Sequence, residues 1–599
     1  MKRCPECRRD YYDDTLLYCL DDGNALLEGP ASGRTELPAS DAGQFGDEPA
    51  TAILSEPPTG VPAGASPSGV AMSADGQFSE SATRAQIQTT DQTAVLPSGV
   101  TELPKPKTFD KRLLLGPVAL AVIVLGGFIG YRYFTTANSG TINSIAVLPF
   151  ENRSGSGDTE YLSDGLADSL IYRLSQLPNL KVSPTSSVMR YKGTASDAAK
   201  VASELGVEAV MTGRLSQIGD NLNISVQLVD VRAGKVLWAE QYDRKLADLL
   251  ATQREIATTI AQKLELKLTG NETKGITKKY TDNNEAYQAY LKGRTYWNRR
   301  TAENIKKAIT EFKSATELDP NFALAYAGLA DCYAILPEYA GTPASESLPQ
   351  AKAYAERAIA IDDQIGEPHA TLGIVYVQMW QWENAEREYK RAIEINPNYA
   401  TAYHWYSILL KNQGRNDEAA KIIMRAGEID PLSPSIGVNI SMIYQLQNNH
   451  DVSIKKSLKV IELDPNYGRG YEYLGLSYLK VGRKEEAVST MEKAVELTNR
   501  QNVVLSELGF VYGAVGKRTE AMAVAKELED KYARKAAAGH EVAAVYSGLG
   551  DKDKAFEWLE KDFQNRDSRL NTFRWEMQFE PLRDDPRFKD LLKRMGLPE

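Results

Sequence analysis

Apolar positions along this chain fall into four regimes, and each predicts a different kind of structure. From about residue 28 to residue 110 the sequence is mostly Ala, Ser, Thr, Gly and Pro with few aromatics. Such a stretch buries too little apolar surface to offset its ordering entropy, so it predicts a disordered linker. Residues 113–131 (LLLGPVALAVIVLGGFIGY) form one uncharged apolar run, long enough at about 1.5 Å per residue to cross a bilayer core. From residue 142 short apolar runs alternate with helical spacing. They predict strands at 142–150, 180–183, 209–217, 221–230 and 236–242, and helices at 159–177, 196–205 and 246–268. Gly219-Asp220 and Ala233-Gly234 supply the turns between the last three strands. Beyond residue 283 the apolar positions keep a helical period almost to the C-terminus.

A second, longer period runs through that last region. Pro397, Pro431 and Pro465 stand 34 residues apart, and Asp363 and Asn499 lie on the same grid. Small residues recur before each mark, where two helices must cross closely: Ala351, Ala385, Ala419, Ser453 and Ala487, then Ala358, Ala392, Ala426, Val460 and Ala494. Tyr333, Tyr376, Tyr444, Tyr478 and Tyr512 recur as large partners. This pattern resembles the tetratricopeptide repeat, and about eight such units are expected over 283–567. Each hairpin buries its apolar face only against its neighbours, so the units stack into an all-α superhelix. Residues 336–350 (LPEYAGTPASESLPQ) read as a loop inserted in the second unit, and 568–599 as a C-terminal capping helix.

The first residues, MKRCPECRRDYYDDTLLYCLDDG, place Cys4 and Cys7 on a knuckle, with Cys19 following after eleven intervening residues. A fourth ligand would fall at position 22, where the chain has Asp22. A Cys3Asp set can hold one zinc ion, and the segment 1–27 resembles the zinc ribbons that open many bacterial membrane proteins; a metal-free knuckle with free thiols is the alternative. Within the linker, Thr51-Ala52-Ile53-Leu54 and Thr93-Ala94-Val95-Leu96 look alike and resemble phosphothreonine peptides. Thr51 and Thr93 are therefore candidate phosphorylation sites.

Between 141 and 270 the stretches IAVLPFENRSG, YLSDGLADSLIYRLSQLP, ELGVEAVMTGRL, ISVQLVD and VLWAEQYDR resemble the FlgO-like, TolB-amino-terminal-like domain of bacterial envelope and signalling proteins. The resemblance implies a small α/β domain, an assembly or signalling role and no catalytic residues. Lys105, Lys107, Lys111 and Arg112 precede the apolar run and Arg132 alone follows it closely. By the positive-inside rule this predicts a transmembrane helix at 111–133 in the bacterial inner membrane, N-terminus cytoplasmic and C-terminal domains outside.

The chain has 599 residues, is 42% apolar and carries a formal net charge of −10, a balance that disfavours nucleic acid as main partner. Four cysteines give no disulfide framework, and Cys332 reads as a buried small hydrophobe. The four histidines show no metal spacing, and no P-loop, HExxH or GxSxG occurs. The loop 154–158 (SGSGD) reads as a plain connection, and Asp164 and Asp168 read as a solvated face as readily as an acid–base pair. No enzyme is predicted. Taking the first helix of each repeat as the inner one, a ladder of Ile374, Ile408, Met442, Leu476 and Phe510 lines a groove, with His404, Lys411, Gln445 and Glu472 as polar contacts. Such a groove suits an amphipathic helix or apolar peptide. The expected role is a membrane-anchored scaffold that binds protein partners, with the bilayer as a second partner. The rivals are a nucleic-acid regulator acting through the cysteine segment and a non-catalytic subunit of an envelope enzyme or secretion complex.

Overall fold

Ser144, Ile145, Ala146 and Val147 are all buried, as a strand flanked by parallel neighbours and covered on both faces requires. The computed structural model describes residues 141–599 apart from 155–158, 195–196, 341 and 599, together with three short strands nearer the N-terminus. In the α/β domain the strands are β1 (Ser144–Val147), β2 (Glu151–Asn152), β3 (Lys181–Val182), β4 (Ala209–Ile218), β5 (Asn221–Asp230) and β6 (Lys235–Lys245). Their order is β3-β1-β4-β5-β6, with β2 paired to β4. β1 runs parallel to both neighbours, Ile145 lying opposite Val182 and Ala209. β4 to β6 form an antiparallel meander. Its two-residue and longer turns use Gly219 and Gly234, each at φ 60°, which a side chain would disfavour.

Helices α1 (Glu160–Ser175) and α4 (Leu249–Lys263) pack on this sheet. Asp164 and Asp168 do not form a solvated face: each is 5% exposed. Asp164 pairs with Lys192 Nζ at 2.7 Å. Asp168 accepts from Arg294 Nε at 2.8 Å and from Thr185 at 2.6 Å. Helical periodicity places both on α1 but cannot reveal that the first repeat helix, Asn284–Asn298, covers that face and brings Arg294 with it.

From Asn284 to Gln564 the chain forms eight helical hairpins. First helices begin at Gly366, Ala400, Pro434, Gly468 and Asn502, which repeats the 34-residue step in three dimensions. The small residues Ala385, Ala419, Ser453 and Ala487 have no exposed surface, as close helix crossing demands. The expected loop at 336–350 is largely helical. Helices Ala323–Ala340 and Ala344–Ile361 run through it, each with an internal proline, Pro337 and Pro349. Burial of Leu336, Leu348 and Ala351 outweighs the lost backbone bonds of two prolines.

The tail also departs from expectation. Of 568–599 only Pro586–Arg594 is α-helical; Ser568–Thr572 and Met577–Leu582 are 3-10 turns. This segment folds back across the inner side of the array instead of stacking only on its end. Leu570, Phe573, Phe579 and Leu582 are fully buried, and the Trp382 indole donates to the Met595 carbonyl at 3.0 Å.

The N-terminal strands form a small antiparallel sheet in which Lys2–Arg3 pairs with Asp10–Tyr11 and Leu27–Glu28. Cys4, Cys7, Cys19, Asp22, Thr51, Thr93 and the apolar run 113–131 lie outside the described residues. Among the described residues no helix is long and apolar enough to cross a membrane, which stands against the expectation of a single-pass inner-membrane protein.

Candidate functional site

The inner helices and the returning tail enclose a cleft of about 1710 Å³. Its walls include Ile374, His404, Ile408, Lys411, Met442, Gln445 and Leu476, of which Ile374, Ile408, Met442 and Leu476 each stand one repeat after the one before. Phe510 is not part of the wall; it is 5% exposed and packs in the core of the later repeats. Ile374, His404 and Ile408 are half-buried, whereas Lys411, Met442, Gln445, Glu472 and Leu476 are buried.

A chain of polar contacts crosses the wall. Asn439 Nδ2 donates to His404 Nε2 at 2.8 Å, and Asn439 Oδ1 accepts from Lys411 Nζ at 2.9 Å. The same ammonium lies 2.8 Å from Met442 Sδ and 4.4 Å from the centre of the Trp575 ring. Burial, with the charge of Lys411 added, drives His404 down to about 3, so its imidazole is neutral and Nε2 accepts. Burial, with Arg469 nearby, pulls the Lys411 amine down to about 7. Gln445 Nε2 donates to the Tyr473 carbonyl at 2.9 Å and to Ser477 at 2.8 Å.

The tail forms the opposite side. The Trp575 indole donates to Asn412 Oδ1 at 2.7 Å, Asn571 to Gln378 at 3.3 Å, and Glu580 pairs with Lys480. At one end of the cleft a charged cluster gathers that sequence reading did not assemble. Glu472 is fully buried, with its Oε2 3.4 Å from Arg469 Nε. Burial raises Glu472, and burial together with the charge of Glu472 lifts Glu507 well above the usual carboxylate range. Burial raises Glu576 as well. Burial disfavours a charged His540, but Asp562 and Glu541 outweigh it and raise the imidazole to about 9. The available signal was weak: Arg469, Glu472 and Glu507 are charged residues on first helices, facing positions where an apolar side chain is the usual choice.

No constellation of nucleophile and base lines the cleft, and among the described residues no cluster of His, Cys, Asp and Glu is arranged to hold a metal ion.

Comparison with known proteins agrees with the helical hairpins. Residues 388–421 and 437–580 match tetratricopeptide repeat family models. Residues 141–259, expected from the sequence to be a FlgO/TolB-like domain, match instead the model described as the second domain of HilA/YgeH-like transcriptional regulators. The chain is 34% identical over 246 residues to a Rhizobium meliloti protein named as adenylate cyclase 3, covering 41% of this chain and 42% of that one. It is 21% identical over 290 residues to the transcriptional regulator HilA of Salmonella typhimurium, covering 47% and 50%. The chain thus spans about half the length of the curated relatives it matches. Similar solved structures include the type IV pilus biogenesis factor PilW (17% identical, TM-score 0.30, 35% of this chain and 93% of that one) and PilF of Pseudomonas aeruginosa (20%, 0.28, 35% and 93%). The chain contains tetratricopeptide repeats behind a small α/β domain, and tetratricopeptide proteins bind protein or peptide partners.

Proposed function

We propose that this protein is a non-catalytic scaffold that holds a partner polypeptide in the cleft between the inner repeat helices and its own tail. The observation that carries this reading is the cleft itself. A cavity of about 1710 Å³ runs along consecutive first helices, with apolar Ile374 and Ile408 half-buried on its wall. Its size suits a helix or extended segment more than a small metabolite. Met442 and Leu476 are too deeply buried to be probed by charge without disturbing the fold. The test therefore uses Ile374 and Ile408. A photo-crosslinking residue at Ile408 joins to a polypeptide in native cells, and Ile374→Glu with Ile408→Glu removes the adduct while circular dichroism stays unchanged. A folded protein that yields no polypeptide adduct would overturn the scaffold reading.

A second reading is favoured by the match of residues 141–259 to the HilA/YgeH-like second domain. In it the cysteine segment, with zinc on Cys4, Cys7, Cys19 and Asp22, contacts nucleic acid. Salt-dependent DNA binding by the full chain that falls with zinc content in Cys4→Ser would support it; zinc-free protein with no DNA shift would end it. Phosphopeptide mapping at Thr51 and Thr93 tests whether the linker is a further docking point.

A further inference from the structure

The charged end of the cleft has more carboxylates than its own basic groups can satisfy. Six carboxylates gather there: Glu507, Glu541, Asp567 and Glu576 line the cleft, and Glu472 and Asp562 are buried behind them. Four basic groups face them: Lys411, Arg469, His540 and Arg569. Several of these pair off. Asp562 accepts from the backbone N–H groups of Gly539 and His540 at 2.7 and 2.6 Å and lies 3.5 Å from the His540 ring. Arg569 takes Asp567 at 2.8 Å and lies 3.7 Å from Glu541, whose other oxygen accepts from Ala538 N at 2.8 Å. Glu472, Glu507 and Glu576 are then left against the Arg469 guanidinium and the Lys411 amine.

Those three carboxyls show the shortage. Apart from a proton shared with Glu507, neither Glu472 oxygen receives a hydrogen bond among the described residues, and Arg469 reaches only one of them, at 3.4 Å. Glu507 is 5% exposed, lines the cleft, and its Oε2 has no partner. Glu576 Oε1 accepts from Thr572 at 2.8 Å, while its Oε2 has none. Buried acceptors without donors are costly unless they hold a proton or receive a donor from outside. Burial and mutual repulsion favour the proton here, which Glu507 holds toward Glu472.

We infer that this end of the cleft is a subsite for the cationic side chain of a partner segment, an arginine guanidinium that donates to Glu507, Glu472 and Glu576 and displaces the proton between them. The inference rests on the scaffold reading and adds the partner's chemistry to it. A guanidinium brings five donors in a planar fork, enough for the four unfilled oxygens. The net charge of −10 attracts a basic segment over longer range. The rest of the partner lies along the apolar wall of Ile374 and Ile408.

Because entry of the cation expels a proton, binding tightens as pH rises across the window in which Glu507, lifted well above the usual carboxylate range, still holds it. Lys411, which loses its rival charge near 7, acts in the same direction; below about 9 His540 and the two arginines stay charged and add no slope.

The experiment uses the full chain and three short alanine–leucine helical peptides carrying one central arginine, citrulline or glutamate. Calorimetry in buffers of different ionisation heat measures both affinity and proton release. The arginine peptide binds at least about tenfold more tightly than its citrulline isostere, as expected for charge-assisted hydrogen bonds, and releases protons. Glu472→Gln with Glu507→Gln abolishes that preference while the thermal midpoint stays level or rises, since buried repulsion is removed. Glu485→Gln with Glu486→Gln, a pair of exposed carboxylates away from the cleft, leaves it intact. Equal binding of arginine and citrulline peptides, binding of neither, or a preference that survives the buried double substitution would overturn the inference. The crosslink at Ile408 reports separately on the scaffold reading, which stands if a polypeptide is captured there without any preference for arginine.

Discussion

Lys411 sits beneath the Trp575 indole, 1% exposed, with its amine bonded to Asn439 and against the sulfur of Met442. Its folded-state pKa of about 7 lies below the ordinary 10.5. Below about 7 both folded and unfolded chains carry the charge, so the burial penalty on folding is complete. Above 10.5 neither carries it and the penalty is gone. Lys411→Met should therefore stabilise the protein at pH 6 by on the order of 3 kcal/mol after allowing for the lost cation–π contact, and far less near pH 10; urea unfolding at both pH values measures this. His540 has the opposite sign. Its folded-state value of about 9 exceeds the ordinary 6.5, so its stabilisation is complete below 6.5 and lost as pH climbs through 9. Between pH 7 and 9 the two slopes oppose each other in the natural chain, and Lys411→Met should expose the fall due to His540, to which the raised carboxyls add. Equal stability of Lys411→Met and the natural chain at pH 6 would count against a strained amine. The position of Lys411 on the inner helix was legible from the 34-residue step. Its burial was not, because the residue that covers it, Trp575, lies far along the chain in the tail and no periodicity links the two.

At the scale of single helices the packing is set by paired large and small residues, and only the small ones stand out in the sequence. Tyr389 is 1% exposed and fills the space over Gly373, where an added Cβ would lie 2.5 Å from the ring. Gly373→Ala gains up to about 1 kcal/mol of helix propensity but overpacks a fixed aromatic for roughly 1–3 kcal/mol, so it should destabilise overall. Gly275, inside Gly270–Thr277, has nothing within 4 Å of a built Cβ, and Gly275→Ala should stabilise by about 0.5–1 kcal/mol. Thermal midpoints moving in the same direction for both substitutions would contradict this account. Recurring alanines and the strand–helix alternation of 142–268 gave the order of elements because both are local signals. Residues 336–350 did not yield to the same reading. Pro337 and Pro349 signal a break locally, but Leu336 and Leu348 are held by neighbouring repeats, and tertiary burial decides the conformation. The tail was misread for a related reason: its charges drew attention away from Leu570, Phe573, Phe579 and Leu582, the residues that anchor it.

In the folded chain the main packing seam is not where the sequence changes character. Composition and periodicity change between 270 and 283, yet one continuous apolar core runs from Ile142 through the α/β domain and the first two hairpins to Ile365. A second runs from Val377 through the later repeats to Leu597 in the tail. Only small alanine-centred clusters lie between them. The two cores are joined by polar contacts instead. Asn398 Nδ2 reaches the carbonyls of Ser175, Leu177 and Leu180 at 3.1, 3.2 and 2.9 Å, Asn396 donates to Ser175 Oγ at 3.1 Å, and Asp430 accepts from Ser186 at 2.7 Å and from Ser187. These bonds couple the α/β domain to the third and fourth hairpins, which carry the half-buried end of the cleft, so loosening them should reach the binding wall. Asn398→Ala leaves the buried carbonyls of Ser175 and Leu180 without their donor, while that of Leu177 keeps the Leu180 N–H, and should cost about 2–4 kcal/mol. With the seam weakened, calorimetry should split into two transitions, and hydrogen exchange should protect 142–365 and 377–597 as separate blocks. A single transition at the natural midpoint would mean that the small alanine clusters, not these amide bonds, make the two cores unfold as one.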